Sequence, residues 1–261
     1  MPEMIRHAPG WPAWVDLLTP DLASSKAFYS ELFGWHGYTL TTPSFGDYEI
    51  FTLGDAQGPE VAGMQELPDD TQASSWTCYF MTEDVRATLE TIRDEGGQEL
   101  IAPFWIADLG EMALCCDREG ADFALWRPGN LRGAGVVDEP SSMCRVELAC
   151  HDAEEARRFY GRVFGWNVAE RQGPSRRTEW RLGEWPLGGL VSIDELRPHG
   201  LGDQAHWVPF FQVTDCDAAV ARAARYGARP LLPATDASLG RYAVMADPVG
   251  AHLAVVAPPE P

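Results

Sequence analysis

The chain has 261 residues, 45% of them hydrophobic and 23% charged, which is enough apolar material for one large core or two ordinary ones. Acidic residues number 39 against 20 basic ones, and a formal net charge of −19 disfavours DNA, RNA or an anionic membrane surface as partners. No stretch approaches the roughly 20 apolar residues of a bilayer span, and MPEMIRHAPGWPAW at the N-terminus lacks the apolar run of a secretory signal.

In chain order, AWVDLLT reads as a strand, and Asp21 then opens an amphipathic helix, LASSKAFYSELF, that stops at Gly34-Trp35. The segments GYTLTT, DYEIFTLG and PEVAGMQEL follow as strands separated by turn residues. WTCYFMT then begins the same order again, with Asp84, the helix DVRATLETI, and the strands QELIAPFWI, GEMALCCD and ADFALWRPG. Residues 128–142, PGNLRGAGVVDEPSS, read as a linker. Beyond it come CRVELAC with Asp152 and AEEARRFYGRVFGW, then WVPFFQV with Asp215 and DCDAAVARA, and finally a loose APPEP tail. Gly188-Gly189 reads as the start of a strand, marking a close backbone approach.

Two periods run through this list. Phe28-Tyr29 and Phe33-Gly34-Trp35 recur as Phe159-Tyr160 and Phe164-Gly165-Trp166, 131 positions later. Gly97, Gly110 and Asp117 recur at a spacing of 130 as Gly227, Gly240 and Asp247. Within each half, Asp21 to Asp84 and Asp152 to Asp215 are both 63 residues. An Asp at a helix start has a physical cause: its carboxylate accepts from amides the first turn leaves unpaired, and it faces the positive end of the helix dipole. The unit is β-α-β-β-β, used four times.

Tandem βαβββ units carrying D-L-x-x-x-K-x-F-Y-x-x-x-F-G-W resemble the vicinal oxygen chelate superfamily of glyoxalases, bleomycin-resistance proteins and extradiol dioxygenases, in its two-module actinobacterial form. The resemblance implies an α+β fold of four βαβββ units in two modules, each with an open, barrel-like cup. The modules span residues 12–127 and 143–257, joined by 128–142. FYxxxFGW itself reads as packing, with Phe28, Leu32 and Phe33 at helical spacing.

Enzymes of that superfamily carry a divalent metal on inward strand positions. The resemblance puts one such position seven residues before each helix-opening Asp, and these are Trp14, Thr77, Arg145 and Val208. A further Glu belongs four residues after a glycine on the last strand, and the residues there are Ala124 and Ala254. Indole, methyl, isopropyl and guanidinium groups do not coordinate divalent ions, and one threonine hydroxyl is a poor donor. The expectation is therefore no metal and no cofactor.

Side chains two apart share a strand face. The first cup is then lined by Trp14, Asp16, Thr77, Tyr79, Ala124 and Trp126, and the second by Arg145, Glu147, His206, Val208, Phe210, His252 and Ala254. Trp14, Thr77, Tyr79, Trp126, Arg145, His206, Phe210 and His252 are the candidate ligand-binding residues. Asp16 and Glu147, equivalent in the two halves, are the candidate catalytic acids, since a carboxylate against aromatic rings can exchange a proton. Arg145 and Glu147 read equally as an internal salt bridge, and Trp14 and Trp126 as plugs.

The expected function is metal-independent binding of a small aromatic or heteroaromatic molecule, as in drug sequestration or metabolite carriage. The alternative is an enzyme of the superfamily (lyase, isomerase or dioxygenase) using unconventional ligands or acid–base chemistry at Asp16 and Glu147. A third class has plugged cups and an outer surface that meets a partner protein. The six cysteines include no CxxC pair, so buried reduced thiols and a cytoplasmic monomer or homodimer complete the expectation.

Overall fold

A computed structural model describes residues 8–42, 46–67, 73–170, 178–200 and 202–259. The β-α-β-β-β order holds in all four repeats. The first repeat contains β1 (Pro12–Thr19), α1 (Leu22–Phe33), β2 (Trp35–Thr42), β3 (Gly46–Leu53) and β4 (Glu60–Glu66). The second contains β5 (Ser75–Met81), α2 (Val85–Asp94), β6 (Gln98–Ile106), β7 (Gly110–Cys116) and β8 (Asp122–Pro128). The third has β9 (Met143–Cys150), α3 (Ala153–Phe164), β10 (Asn167–Glu170), β11 (Thr178–Leu182) and β12 (Trp185–Ser192), followed by a single turn, α4 (Ile193–Leu196). The fourth has β13 (His206–Gln212), α5 (Cys216–Arg225), β14 (Arg229–Ala237), β15 (Gly240–Ala246) and β16 (His252–Ala257). Gly188 and Gly189 lie inside β12 rather than at its start. Strand pairing continues through them because their missing side chains admit the neighbouring strand.

The strands form two open eight-stranded sheets, β2-β3-β4-β1-β5-β8-β7-β6 and β10-β11-β12-β9-β13-β16-β15-β14. In each repeat the first strand pairs in parallel with the last, and the remaining pairs are antiparallel.

The four recurring aspartates are the N-caps. Asp21 accepts from the Ser24 amide, Asp84 from Arg86 and Ala87, Asp152 from Glu154 and Glu155, and Asp215 from Ala218. The glycine of each FGW ends its helix in the left-handed region, Gly34 at φ 71° and Gly165 at φ 70°. A side chain there would crowd the following carbonyl, so glycine is the residue that stops the helix cleanly.

The chain divides into two compact units: residues 1–14, 77–133 and 145–207, and residues 15–76, 134–144 and 208–261. Each combines segments from both halves of the sequence. In the first unit, Phe80 of β5 packs against Phe164, Trp166 and Trp207, with ring centroids 5.3, 5.1 and 5.1 Å away. In the second, Phe211 of β13 holds the equivalent place against Phe33, Trp35 and Trp76, at 5.0, 5.4 and 5.5 Å. The packing role expected of FYxxxFGW is therefore met: Phe28, Leu32, Phe33, Phe159 and Phe164 are all buried.

The tyrosine of FYxxxFGW does more than pack. Tyr29 donates to Asp247 Oδ2 at 2.9 Å and accepts from Trp76 Nε1 at 3.0 Å. Tyr160 donates to Asp117 Oδ2 at 2.9 Å and accepts from Trp207 Nε1 at 3.1 Å. Each aspartate also takes backbone amides of its own turn on Oδ1: Glu119 and Ala121 for Asp117, Val249 and Ala251 for Asp247. Burial raises both carboxyls above their usual range despite these donors, and lifts both phenols further. The repeated glycine and aspartate spacings thus mark hydrogen-bonded seams inside each unit.

All six cysteines are free, and burial pushes Cys150 up to about 12, far from the range of a reactive thiolate. No helix among the described residues is long and apolar enough to cross a membrane.

Candidate functional site

The structure places the expected site residues on strand faces that alternate as the sequence pattern requires. In the second repeat, Tyr79 on β5 lies beside Ala124 on β8, and Trp126 follows two residues later on the same face. The Tyr79 and Trp126 rings meet edge to face at 6.2 Å, and the Tyr79 hydroxyl lies 3.9 Å from Met112 Sδ on β7. Trp126 is fixed by its indole N–H, which donates to the Leu131 carbonyl at 3.1 Å, and by Gly110, where a Cβ would stand 2.4 Å from the ring. Thr77 is buried two residues before Tyr79, and Trp14 is 3% exposed. This face is aromatic and apolar.

The fourth repeat repeats the arrangement. Phe210 lies beside Ala254, and its ring meets Tyr242 at 6.1 Å. Val208 is buried as well. His206 and His252 begin β13 and β16. His206 Nδ1 lies 2.8 Å from the Gln204 carbonyl, and burial lowers its pKa, which favours the neutral ring.

The first and third repeats carry the acids instead, on β1 and β9. Asp16 is register partner of Gly63 on β4, and Glu147 of Gly189 on β12. At Gly63 the missing side chain leaves space that two polar groups enter from either side: Tyr48 on β3 donates its hydroxyl to Asp16 Oδ1, and a Cβ on Gly63 would lie 1.8 Å from the phenol oxygen and 2.1 Å from that carboxylate oxygen. Asp16 and Tyr48 are both partly exposed.

At Gly189 the chemistry differs. Arg145 Nη2 reaches Glu147 Oε1 at 3.0 Å, the internal salt bridge that the spacing of the two residues suggested. Glu179 on β11 is register partner of Gly189, and Arg181 holds it at 2.8 Å. Glu147 and Glu179 are 3% and 2% exposed, each with an arginine two residues away on its own strand. By register Glu179 stands where the first repeat has Ile50. The third repeat has thus gained a second carboxylate together with the guanidinium that balances it.

Tyr48, Glu179, Gly63 and Gly189 were not among the candidates from sequence. Strand alternation alone does not report which residue of β3 or β11 lies over which glycine, because that depends on register. The bulges at Phe51/Thr52 and Trp180/Arg181 shift it.

Trp14, Thr77, Arg145, Val208, Ala124 and Ala254 occupy the expected donor positions. Among the described residues no three His, Cys, Asp or Glu side chains converge in a way that could hold an ion. The donor set does not fit a divalent metal. Trp105 is 47% exposed on β6, with the Arg127 guanidinium 5.8 Å over its ring.

Four βαβββ repeats on two open sheets are the vicinal oxygen chelate fold. The 2,3-dioxygenase LapB from Pseudomonas sp. KL28 superposes with a TM-score of 0.66 over 98% of this chain and 96% of that one, at 13% identity. The Mn(II)-bound glyoxalase from Novosphingobium aromaticivorans gives 0.64 over 96% and 82%, also at 13%. At that identity the likeness is one of fold. Sequence relationship is closer elsewhere. The family model "Glyoxalase-like domain" matches residues 145–256. The anthracycline biosynthesis protein DnrV of Streptomyces peucetius is 36% identical, with 97% of this chain and 95% of that protein aligned. The putative glyoxylase CFP32 of Mycobacterium tuberculosis is 32% identical over 99% and 98%. The chain belongs to this glyoxalase-like, vicinal oxygen chelate family.

Proposed function

We propose that this protein binds a small planar aromatic or heteroaromatic molecule without a divalent metal, and that it works by sequestering or carrying that molecule. The observation that carries the reading is the replacement of metal donors by Trp14, Thr77 and Ala124, with the Tyr79–Met112–Trp126 cluster on the strands beside Ala124. Aromatic walls with a few polar anchors suit such ligands, because they offer large contact area with little side-chain entropy to lose. In this reading residues 12–127 and 143–257 are two ligand-binding modules joined by 128–142. The residues offered for ligand contact are Trp14, Thr77, Tyr79, Trp126 and Asp16 from the first half of the sequence, and Arg145, Glu147, His206, Phe210 and His252 from the second. The name of the Streptomyces peucetius relative places that protein in anthracycline biosynthesis, in keeping with an aromatic ligand.

An enzymatic reading is favoured by one observation, the Tyr48–Asp16 hydrogen bond, since a paired phenol and carboxylate can pass a proton. It differs from sequestration in a measurable way: a bound ligand would be released changed.

The test is titration with fused-ring aromatic probes, followed by tryptophan fluorescence and calorimetry, with metal content measured in the same preparation. Saturable binding that survives EDTA supports the reading. A stoichiometric transition metal whose removal abolishes binding would overturn it, as would the absence of any saturable response.

A further inference from the structure

A group of charged side chains lies away from the strand faces, where α1 and α5 meet within the second compact unit. There Glu31, Arg222, Arg225 and Tyr226 line an open cavity of about 520 Å3, inside the range of roughly 300–1,000 Å3 usual for small-molecule pockets. Arg222 and Arg225 are three apart and share a face of α5. Arg222 Nη1 donates to the Leu32 carbonyl at 3.3 Å, and Tyr226 donates to Glu31 Oε2 at 2.7 Å. Among the described residues Arg225 has no ion-pair or hydrogen-bond partner. The hydrogen bond to Glu31 raises the Tyr226 phenol above its ordinary value, while Arg225 and Arg222 pull it down, so both guanidinium groups act at the same spot. The corresponding junction of α2 and α3, in the first unit, has the opposite charge balance. At the repeat spacing of 131, Glu31, Arg222, Arg225 and Tyr226 correspond to Arg162, Thr91, Asp94 and Glu95. Arg162 Nε lies 3.9 Å from Glu95 there. That set holds one cation and two acids, whereas the set at α1 and α5 holds two cations and one acid.

We infer that the cavity between α1 and α5 binds a small organic molecule carrying an oxyanion, a phosphate monoester or a carboxylate, through Arg222 and Arg225. The site lies within one unit and is independent of the aromatic strand faces. A guanidinium offers five N–H donors in a planar fork that matches the oxygens of a phosphate or carboxylate in pairs. Arg222 gives a donor to Leu32 and keeps the others, and Arg225 keeps all of its own. Two like charges on one helix face repel each other, and an anion shared between them removes that repulsion. In a chain of net charge −19, an anion is repelled over most of the surface, so binding one needs a local excess of cations such as this. Arginines in the last turn of α5 also suit the negative end of the helix dipole. That role explains their charge, but it explains neither the cavity nor an Arg225 without an acid beside it. Tyr226 has spent its proton on Glu31, which leaves its ring, 44% exposed, available to the organic body of the ligand. Glu31 is the one group in the set that opposes an anion.

The probes are butyl phosphate, butyrate and butylammonium, titrated into the full chain at fixed ionic strength and followed by calorimetry. They are aliphatic, so a site for aromatic molecules elsewhere in the chain does not contribute. At least one of the two anions should bind saturably, and the tighter of them names the oxyanion. Butylammonium should bind at least about tenfold more weakly than that anion, because a charge-assisted hydrogen bond is worth roughly ten- to a hundredfold. Arg225→Asp, which copies the residue of the first unit's junction, should weaken the anion by about tenfold or more. Glu31→Gln keeps an acceptor for Tyr226 and removes the opposing charge, so it should tighten the anion by about threefold or more. A gain of affinity cannot come from loss of folding. The absence of saturable binding by both anions, equal binding of butylammonium, unchanged affinity in Arg225→Asp, or no gain in Glu31→Gln would each overturn the inference. None of these results bears on the aromatic-binding reading, which has its own probes.

Discussion

Replacing Tyr160 by Phe removes one oxygen from the interior and should be among the most costly single changes in the chain. The ring is fully buried and stacks on Trp166 at 5.4 Å, so the substitution leaves the packing unaltered. Two hydrogen bonds go with the oxygen. The bond to Asp117 Oδ2, 2.9 Å long, has a charged acceptor and contributes about 1.5–3 kcal/mol. The bond from Trp207 Nε1, 3.1 Å long, leaves a buried N–H without that acceptor, at about 1–3 kcal/mol. Asp117 keeps the Glu119 and Ala121 amides, which limits the loss on its side. A net destabilisation of about 3–5 kcal/mol follows. Urea unfolding monitored by tryptophan fluorescence measures it, with Tyr226→Phe as the reference. Tyr226 also donates to a carboxylate, Glu31 at 2.7 Å, but on the surface, where solvent screening leaves the bond with little effect on stability. A double-mutant cycle with Trp207→Phe should show coupling, because the second change removes the N–H the first one strands. If Tyr160→Phe costs no more than Tyr226→Phe, the buried Trp–Tyr–Asp chain does not hold the unit together and the argument fails. Tyr29→Phe should behave like Tyr160→Phe, through Asp247 and Trp76.

Three further outcomes are expected. Gly63→Ala should cost about 1–3 kcal/mol by overpacking, because its Cβ would run into the Tyr48 hydroxyl and the Asp16 carboxylate; thermal unfolding checks it, and an unchanged Tm would contradict it. Because burial raises the folded pKa of Asp117 and Asp247 above the ordinary 3.8, their contribution to stability is fully present below that value and is lost as pH rises through the folded values. Asp117→Asn should flatten the decline in unfolding free energy between pH 3.8 and neutrality, and an unchanged slope would contradict it. His206 has the opposite sign: burial lowers its folded pKa below 6.5, so its contribution is present above that pH and is lost as pH falls through the folded value. His206→Gln should therefore lose less stability on acidification from pH 6.5 than the wild type does, measured by urea midpoints at each pH.

Much of this molecule was legible from local chemistry. Asp21, Asp84, Asp152 and Asp215 announced four helix starts because capping is a matter of three or four adjacent residues. Gly34 and Gly165 announced two stops, since a left-handed residue at a helix end is met most easily by glycine. The strand faces of Tyr79, Ala124 and Trp126 followed from alternation, as did the pairing of Arg145 with Glu147. The substitution of metal donors was visible too, since it depends on residue type at fixed offsets.

Other features were settled only by the chain's long-range arrangement. Nothing near Tyr29 in sequence points to Asp247, 218 positions away, or from Tyr160 to Asp117; the spacing of 131 showed that the parts repeat without showing which repeat packs on which. Tyr48 and Glu179 entered the site by strand register, which two bulges displace from simple counting. The difference between Asp16 and Glu147, one reachable and one sealed within arginines, is likewise a matter of burial, and burial is a property of everything around a residue rather than of its neighbours along the chain. Short-range preferences therefore determined the elements and their faces, while tertiary packing decided which of two equivalent acids is buried with an arginine and which stays partly exposed.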